Sequence, residues 1–250
     1  MKFFKATALG FLIGFFLLSN TISAAQTEKF RITNIAKFDH PWALEFLPDG
    51  KILLTEMPGS LKLLDKEGLV LGEVEGVPKV KFADQGGLGD IALHPAFKQN
   101  SLLYLSYVEA GPKNTSGAAV VRARLRVSQS KFLLTDPEVI WRQYPKVIGD
   151  GHFGHRLIFG PNEYLWISSG ERKKFDPAQD MYSNLGKVLR LNPDGSSPTD
   201  NPFSENLVQS QIWSLGHRNP LGMAFDDQDN LWVVELGPKG GDELNFITRK

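Results

Sequence analysis

Two histidines three residues apart, His152 and His155, lie in the run Gly149-Asp-Gly-His-Phe-Gly-His-Arg156, and an arginine–amide pair follows at Arg218-Asn219. An imidazole is the side chain whose ordinary pKa suits proton transfer near neutrality. It serves as often as a structural hydrogen-bonder, and both uses are open for His152 at this level. Metal ligation by the two histidines would need a third nitrogen or carboxylate at fitting spacing, and the run supplies none. A guanidinium beside an amide offers a fork of donors to a carboxylate or carbonyl oxygen. Further glycine-rich clusters stand at Ala83-Asp-Gln-Gly-Gly-Leu-Gly89 and Leu236-Gly-Pro-Lys-Gly-Gly-Asp-Glu243, and the Arg-Asn pair belongs to a fourth, Leu215-Gly-His-Arg-Asn-Pro220. Glycine lets the backbone approach a ligand closely and accepts positive φ. Cysteine is absent, which excludes disulfides, thiol chemistry and cysteine-ligated zinc.

The clusters adjoin four segments of one layout: an apolar run, a turn rich in Pro, Asp, Asn or Gly, then a second apolar run. They are Ala43–Glu56, Ile91–Phe97 with Ser101–Tyr107, Leu157–Ser168 and Met223–Glu235. The equivalent positions Phe46, Leu93, Phe159 and Phe225 are separated by 47, 66 and 66 residues. Such periods fit one four-stranded blade each, and the fold class is an all-β propeller. Equivalent points on successive blades ring one face of the central channel, so the four clusters converge on one pocket. Blades must close a ring to cover their apolar faces. Four copies predict the front portion of a longer propeller, incomplete at its C-terminus; a compact four-bladed ring is the alternative. Trp166 and Trp232 stand at matching strand positions and are expected in the blade core.

The 28 basic residues balance the 28 acidic ones, which argues against a protein that coats nucleic acid. Residues 1–25 carry Lys2 and Lys5, an apolar run from Ala6 to Leu18, and Ser23 and Ala25 before Gln26. That is the layout of a cleavable secretory signal. The expected mature domain is therefore 26–250, exported to the periplasm or secreted, with no integral membrane segment after cleavage.

Four segments carry a specific resemblance: Gln85-Gly-Gly87, Gly151-His-Phe-Gly-His-Arg156, Gly216-His-Arg-Asn-Pro-Leu-Gly222 and Gly237-Pro-Lys-Gly-Gly-Asp-Glu-Leu-Asn245. In this order they resemble the soluble pyrroloquinoline-quinone (PQQ)-dependent sugar dehydrogenases, the glucose/sorbosone dehydrogenase family, and most closely its aldose sugar dehydrogenase branch. The resemblance runs from about Thr33 to Lys250. It implies a six-bladed propeller that oxidises an aldose at C1 to the lactone, with PQQ and Ca2+ as cofactors and an unidentified electron acceptor. By the same resemblance His152 is the general base, while Gln85, Arg218 and Asn219 lie in the cofactor and substrate pocket. The backbone carbonyls of Gly237 and Pro238 match the family's calcium ligands, and Asp242 and Glu243 would support them or bind a second calcium. His155 stands where the family has glycine and is expected at the pocket rim. Leu221 stands where some members have glutamine, which removes a side-chain hydrogen bond near the cofactor. His217 is expected to make a structural hydrogen bond in its turn. Two other functions fit a propeller: a calcium-dependent hydrolase such as a lactonase, and a non-catalytic sugar- or protein-binding module. The first would need a side-chain cage of acids and asparagines; the second has no use for His152, Arg218 and Asn219 together.

Overall fold

A computed structural model describes residues 30–129, 131–203 and 208–248. The leader expected at 1–25 lies outside the described residues. A leading unit ends at Asn34, and its described residues form no helix or strand; a second unit begins at Ile35 and holds every strand. No helix among the described residues is long and apolar enough to cross a membrane.

Four antiparallel sheets follow one another along the chain. The first blade is β1 (Pro41–Phe46), β2 (Ile52–Glu56), β3 (Ser60–Leu64) and β4 (Val70–Glu73), paired in chain order. The second is β5 (Leu88–Leu93), β6 (Leu102–Ala110), β7 (Thr115–Val127) and β8 (Phe132–Arg142), with the short β9 (Val147–Ile148) added beside β7. The third is β10 (Gly154–Phe159), β11 (Leu165–Ser169), β12 (Lys187–Leu191) and β13 (Ile212–Leu215). The fourth, among the described residues, is β14 (Pro220–Phe225), β15 (Leu231–Glu235) and β16 (Glu243–Ile247). The expected repeat is therefore the first hairpin of each blade, with Phe46, Leu93, Phe159 and Phe225 all opposite the first residue, or next to it, of the following strand.

Local chemistry makes these hairpins. In the first, Gly50 at φ +87° closes the turn and donates to Leu47 O at 2.9 Å, while Asp49 Oδ1 accepts Lys51 N–H at 3.1 Å. In the fourth, Asp226 Oδ1 accepts Gln228 N–H and Asn230 N–H, both at 2.9 Å. The strands then bury their apolar faces between blades. Leu53, Leu61 and Leu63 meet Leu88, Leu103 and Leu105; Tyr104, Val120 and Trp141 meet Leu165, Ile167 and Leu189; Trp166 and Val188 meet Leu231 and Val233. Each fully buried Leu or Ile contributes about 1.5–3 kcal/mol by removal from water. Trp166 is core as expected, whereas Trp232 is only half-buried, because its side lies against Phe246 at the uncovered edge of blade 4.

The first strands touch in the order β1, β5, β10, β14. A buried hydroxyl on the second strand of each of the first three blades ties it to the first strand of the next. Thr55 Oγ1 donates to Gly89 O at 2.7 Å, Ser106 Oγ to His155 O at 2.8 Å, and Ser168 Oγ to Pro220 O at 3.0 Å. The corresponding residue of blade 4 is Val234, which has no hydroxyl and is exposed. Apolar side chains also stand uncovered at both ends of the series: Leu44 and Phe46 (61% exposed) on β1, and Leu244 (64% exposed) and Phe246 on β16.

Candidate active site

Every first strand carries a β-bulge at the same place. The register slips after Pro41, Leu88, Gly154 and Pro220, so Trp42, Gly89, His155 and Leu221 occupy one layer around the channel. A bulge re-aims the extra residue out of the ladder. A cavity of about 350 Å³ opens at this layer, lined by Trp42, Met57, Asp84, Gln85, Phe153, Gly154, His155, Asn219, Leu221 and Leu236. Blades 1, 3 and 4 contribute, with Asp84 and Gln85 from the loop that leads into blade 2, and each of the four glycine-rich clusters supplies at least one residue.

His152 sits two residues before the start of β10, and Glu171 two residues after the end of β11. Because Gly154 pairs with Ser169, the hairpin ladder brings the two side chains together, and His152 Nδ1 hydrogen-bonds Glu171 Oε1 in the interior. The Glu171 carboxyl feels opposing influences: burial raises its pKa, but hydrogen bonds from Phe175 N–H (2.7 Å), from His152 and from Lys174 N–H outweigh that and hold it below the ordinary value. A carboxylate only accepts, so Nδ1 carries the proton and Nε2 the lone pair. Nε2 has no hydrogen-bond partner among the described residues. Gly170 lies between these groups, where a Cβ would meet His152 O at 2.1 Å and Asn219 Oδ1 at 2.9 Å. Only a glycine lets the strand pass this close.

The other expected residues gather around the pair. Gln85 Oε1 accepts the His152 backbone N–H at 2.8 Å, which leaves the Gln85 amide nitrogen free to face the cavity. Asn219 Oδ1 accepts Gly154 N–H at 3.1 Å and likewise keeps its amide nitrogen for the cavity. Arg218 Nη1 donates to Leu236 O at 2.7 Å, and its Nε is buried with no partner. His217 is structural, as its turn position suggests: Nδ1 meets Glu235 Oε1 at 3.0 Å and Nε2 meets Ser214 Oγ at 2.9 Å. Glu235 Oε2 also accepts Arg218 N–H at 2.6 Å, so this buried carboxylate fixes the backbone from which Arg218 projects. Burial raises the Glu235 pKa, and the hydrogen bond and charge of His217 more than reverse it.

The Gly237–Asp242 turn is held by hydrogen bonds of its own. Asp242 Oδ1 accepts Gly237 N–H at 2.9 Å, so Asp242 shapes the turn. Glu243 instead faces Asn245, 3.2 Å away. Pro238 O accepts Gly241 N–H at 3.1 Å and keeps one lone pair, while Gly237 O has no hydrogen bond among the described residues.

Two residues escaped the sequence reading. Glu171 is one; counting outward from the Leu157–Ser168 hairpin would have placed it opposite His152. Arg172 is the other. It is 1% exposed, stacks over Phe153 with the guanidinium 3.8 Å from the ring centre, and donates to Gly151 O (2.9 Å), Ser116 O (2.6 Å) and Gly149 O. Burial lowers its pKa to about 10, still far above neutrality, so this loop is pinned by a charged side chain. His155 departs from expectation: it is wholly buried in the bulge layer, with no place at the rim. Arg156 ties blades together through Leu221 O (2.5 Å) and Asp90 Oδ1 (3.3 Å).

These features define a β-propeller whose channel face carries a pocket shared between blades, with a histidine, next in sequence to the pocket residue Phe153, that a carboxylate orients. The sequence description "Glucose / Sorbosone dehydrogenase" matches residues 38–250, and the chain belongs to that family. It is 41% identical over 239 residues to the aldose sugar dehydrogenase YliI of Escherichia coli, across 94% of this chain and 64% of that protein. The apo crystal structure of the soluble E. coli aldose sugar dehydrogenase superposes with a TM-score of 0.80 at 42% identity, covering 85% of this chain and 61% of that one. The PQQ-bound aldose sugar dehydrogenase of Streptomyces coelicolor gives 0.77 at 32% identity, covering 87% and 63%. The chain thus spans less than two thirds of the length of these relatives.

Proposed function

We propose that this protein oxidises an aldose at C1 to the lactone, with PQQ and calcium as cofactors and His152 as general base. The observation that carries the reading is the buried His152–Glu171 pair, which leaves the Nε2 lone pair unengaged, with His152 tied by its backbone to Gln85, a residue that lines the pocket together with Asn219. The residues present fit the cofactors. Arg218 has a buried, unpartnered Nε for an anionic oxygen, and Gly237 and Pro238 keep carbonyl lone pairs of the hard type calcium prefers.

Bound there, the quinone supplies an electrophilic carbonyl for hydride and the calcium ion polarises it. His152 Nε2 takes the proton of the C1 hydroxyl as the C1 hydrogen leaves with its electron pair. The C1–O bond becomes a carbonyl, the hydride going to the carbonyl that the quinone would supply. Glu171 stabilises the imidazolium so formed and keeps its ring aimed. The amide nitrogens of Gln85 and Asn219 bind and orient oxygens in the pocket. The hydrolase alternative wants three or more side-chain ligands on one metal, and no group of three His, Asp or Glu suited to that occurs among the described residues.

The exposed faces around Phe46 and Leu244, together with the share of the relatives that the chain spans, support two further blades covering these faces in the whole domain. The matching localisation is the periplasm, reached through the leader at 1–25. The test of function is reduction of an artificial electron-acceptor dye by the mature protein with PQQ, calcium and an aldose. Dye reduction that requires all three supports the reading; none, with cofactor bound, contradicts it.

A further inference from the structure

Among the described residues, Asp84 is the one charged side chain that lines the cavity, and the reaction as derived leaves it unused. It sits in the two-residue turn between Ala83 and Gly86, where Gly86 N–H donates to Ala83 O at 2.8 Å and Ala83 N–H to Gly86 O at 3.2 Å. Its φ of +50° is one that aspartate, asparagine and glycine tolerate. The turn is docked on the segment that carries the base. Gln85 N–H donates to Asp150 O at 3.0 Å, Gln85 Oε1 accepts His152 N–H at 2.8 Å, and Lys81 Nζ meets Asp150 Oδ1 at 2.6 Å. A carboxylate held on such a turn keeps a fixed place relative to His152.

Its surroundings leave it open to a ligand. The Asp84 side chain is 59% exposed, and its one hydrogen-bond partner among the described residues is Lys173 Nζ, 3.4 Å from Oδ2. Lys173 reaches it by crossing Gly151, the residue before the base, where a Cβ would lie 2.4 Å from Lys173 Cε. A half-exposed pair at this distance contributes little, so a hydroxyl can take the ammonium's place or join it. Gln85 and Asn219 offer amide donors to the same cavity, and Trp42, Met57 and Phe153 give it an apolar wall. Two donors, one anionic acceptor and an apolar wall complement a polyhydroxy ring, whose hydroxyls donate as well as accept and whose C–H groups are apolar. No cation belongs to the lining, so a ligand carrying a carboxylate would meet Asp84 as a like charge. Arg218, the group proposed for the anionic cofactor, is not among the lining residues, and this cavity is read as the sugar's.

We propose that Asp84 is a substrate-binding residue that sets specificity: its carboxylate accepts a hydrogen bond from a hydroxyl of the aldose other than the one His152 deprotonates, and it selects uncharged aldoses over uronic acids. This rests on the function proposed above and deepens it by naming the substrate class. Lys173 tempers the selection, because its ammonium offsets part of the carboxylate's charge.

The experiment is steady-state oxidation of glucose and of glucuronate, its uronic acid, by the full chain loaded with PQQ and calcium, alongside titration of PQQ without sugar. Asp84→Gly and Asp84→Asn both suit the positive φ of this exposed turn, so the variants fold. We expect Asp84→Gly to raise KM for glucose roughly 10-fold with kcat little changed, the range of one charge-assisted hydrogen bond, and Asp84→Asn to fall between it and the wild type. The wild type should favour glucose over glucuronate in kcat/KM; both Asp84 variants should narrow that preference, and Lys173→Met should widen it. PQQ affinity should be equal in all these proteins. Unchanged KM and preference in both Asp84 variants, or a wild type that favours glucuronate, overturns the role of Asp84 and leaves the dehydrogenase reading in place. Weaker PQQ binding in the Asp84 variants, with KM for glucose unchanged, also overturns it and assigns the carboxylate to the cofactor. A wild type that binds no PQQ, or that oxidises no aldose with PQQ bound, overturns that reading and this inference together.

Discussion

His152 and Arg218 occupy the same position on successive blades, each two residues before the first strand; His152 bonds Glu171, two residues beyond the second strand of its blade, and Arg218 bonds the carbonyl of Leu236, one residue beyond the second strand of the next. One blade thereby presents an imidazole backed by a carboxylate. The next presents a guanidinium bonded to the carbonyl of Leu236, at the start of the Gly237–Asp242 turn. Repetition of the hairpin puts the two groups at equivalent places on neighbouring blades, each next in sequence to a residue that lines the cavity, Phe153 and Asn219.

The carboxylate behind the base should matter more to rate than to binding. Glu171→Gln keeps the shape but removes the charge that stabilises the imidazolium. We expect kcat to fall roughly 10- to 100-fold with KM changed little. Steady-state kinetics on one aldose checks this, and an unchanged kcat contradicts the role given to Glu171.

Arg218 should act through its fork of donors. Arg218→Ala is expected to weaken PQQ binding roughly 10- to 100-fold, the range for a charge-assisted bond. Arg218→Lys should recover little, since an ammonium cannot reproduce the guanidinium geometry. Equilibrium titration of the quinone measures both.

The buried imidazole of His155 predicts a stability change with acid. Its folded pKa, about 3, lies below its ordinary value of 6.5 because of burial. The stability tied to its neutral form is complete above pH 6.5 and is lost as pH falls toward 3. Between pH 6.5 and 4.5 this amounts to on the order of 2–3 kcal/mol. Melting curves of the wild type should therefore drop over this interval more steeply than those of His155→Gly. Parallel curves would contradict the environment described for this ring.

Glu45 on β1 predicts the opposite sense. Burial, with the charge of Asp90, raises its pKa from 4.5 to about 7. The folded state binds this proton more tightly, so stability declines as pH rises from 4.5 through 7. Glu45→Gln should stabilise the protein at pH 8 by about 1 kcal/mol after allowance for partial solvent screening, and not at pH 4. Chemical unfolding at the two pH values tests the difference.

Much of this architecture is legible in the residues. The Leu157–Ser168 and Met223–Glu235 hairpins announce themselves by apolar runs about a turn; β11 is buried on both faces, whereas in the second hairpin Val234 stands exposed. The third and fourth strands do not: β8 holds Thr135, Asp136, Pro137 and Glu138 at the blade's outer edge, where no apolar pattern is required. The glycine-rich settings singled out Gln85, His152, Arg218 and Asn219, of which Gln85 and Asn219 line the cavity. Glu171 was hidden because its meaning depends on register, and the following Arg-Lys-Lys reads as a solvated charge run although Arg172 is buried. The position of His155 was misjudged because the slip of β10 after Gly154, which turns the ring from rim to floor, leaves no mark in composition.

The measurement closest to the central claim is the absorbance of PQQ bound to the calcium-loaded protein, followed in a single turnover after an aldose is added. The account predicts bleaching of the oxidised quinone in the wild type and its loss in His152→Ala, with PQQ affinity preserved in the variant. Bleaching at an equal rate in both, or a fully bound quinone that no aldose bleaches, would contradict it.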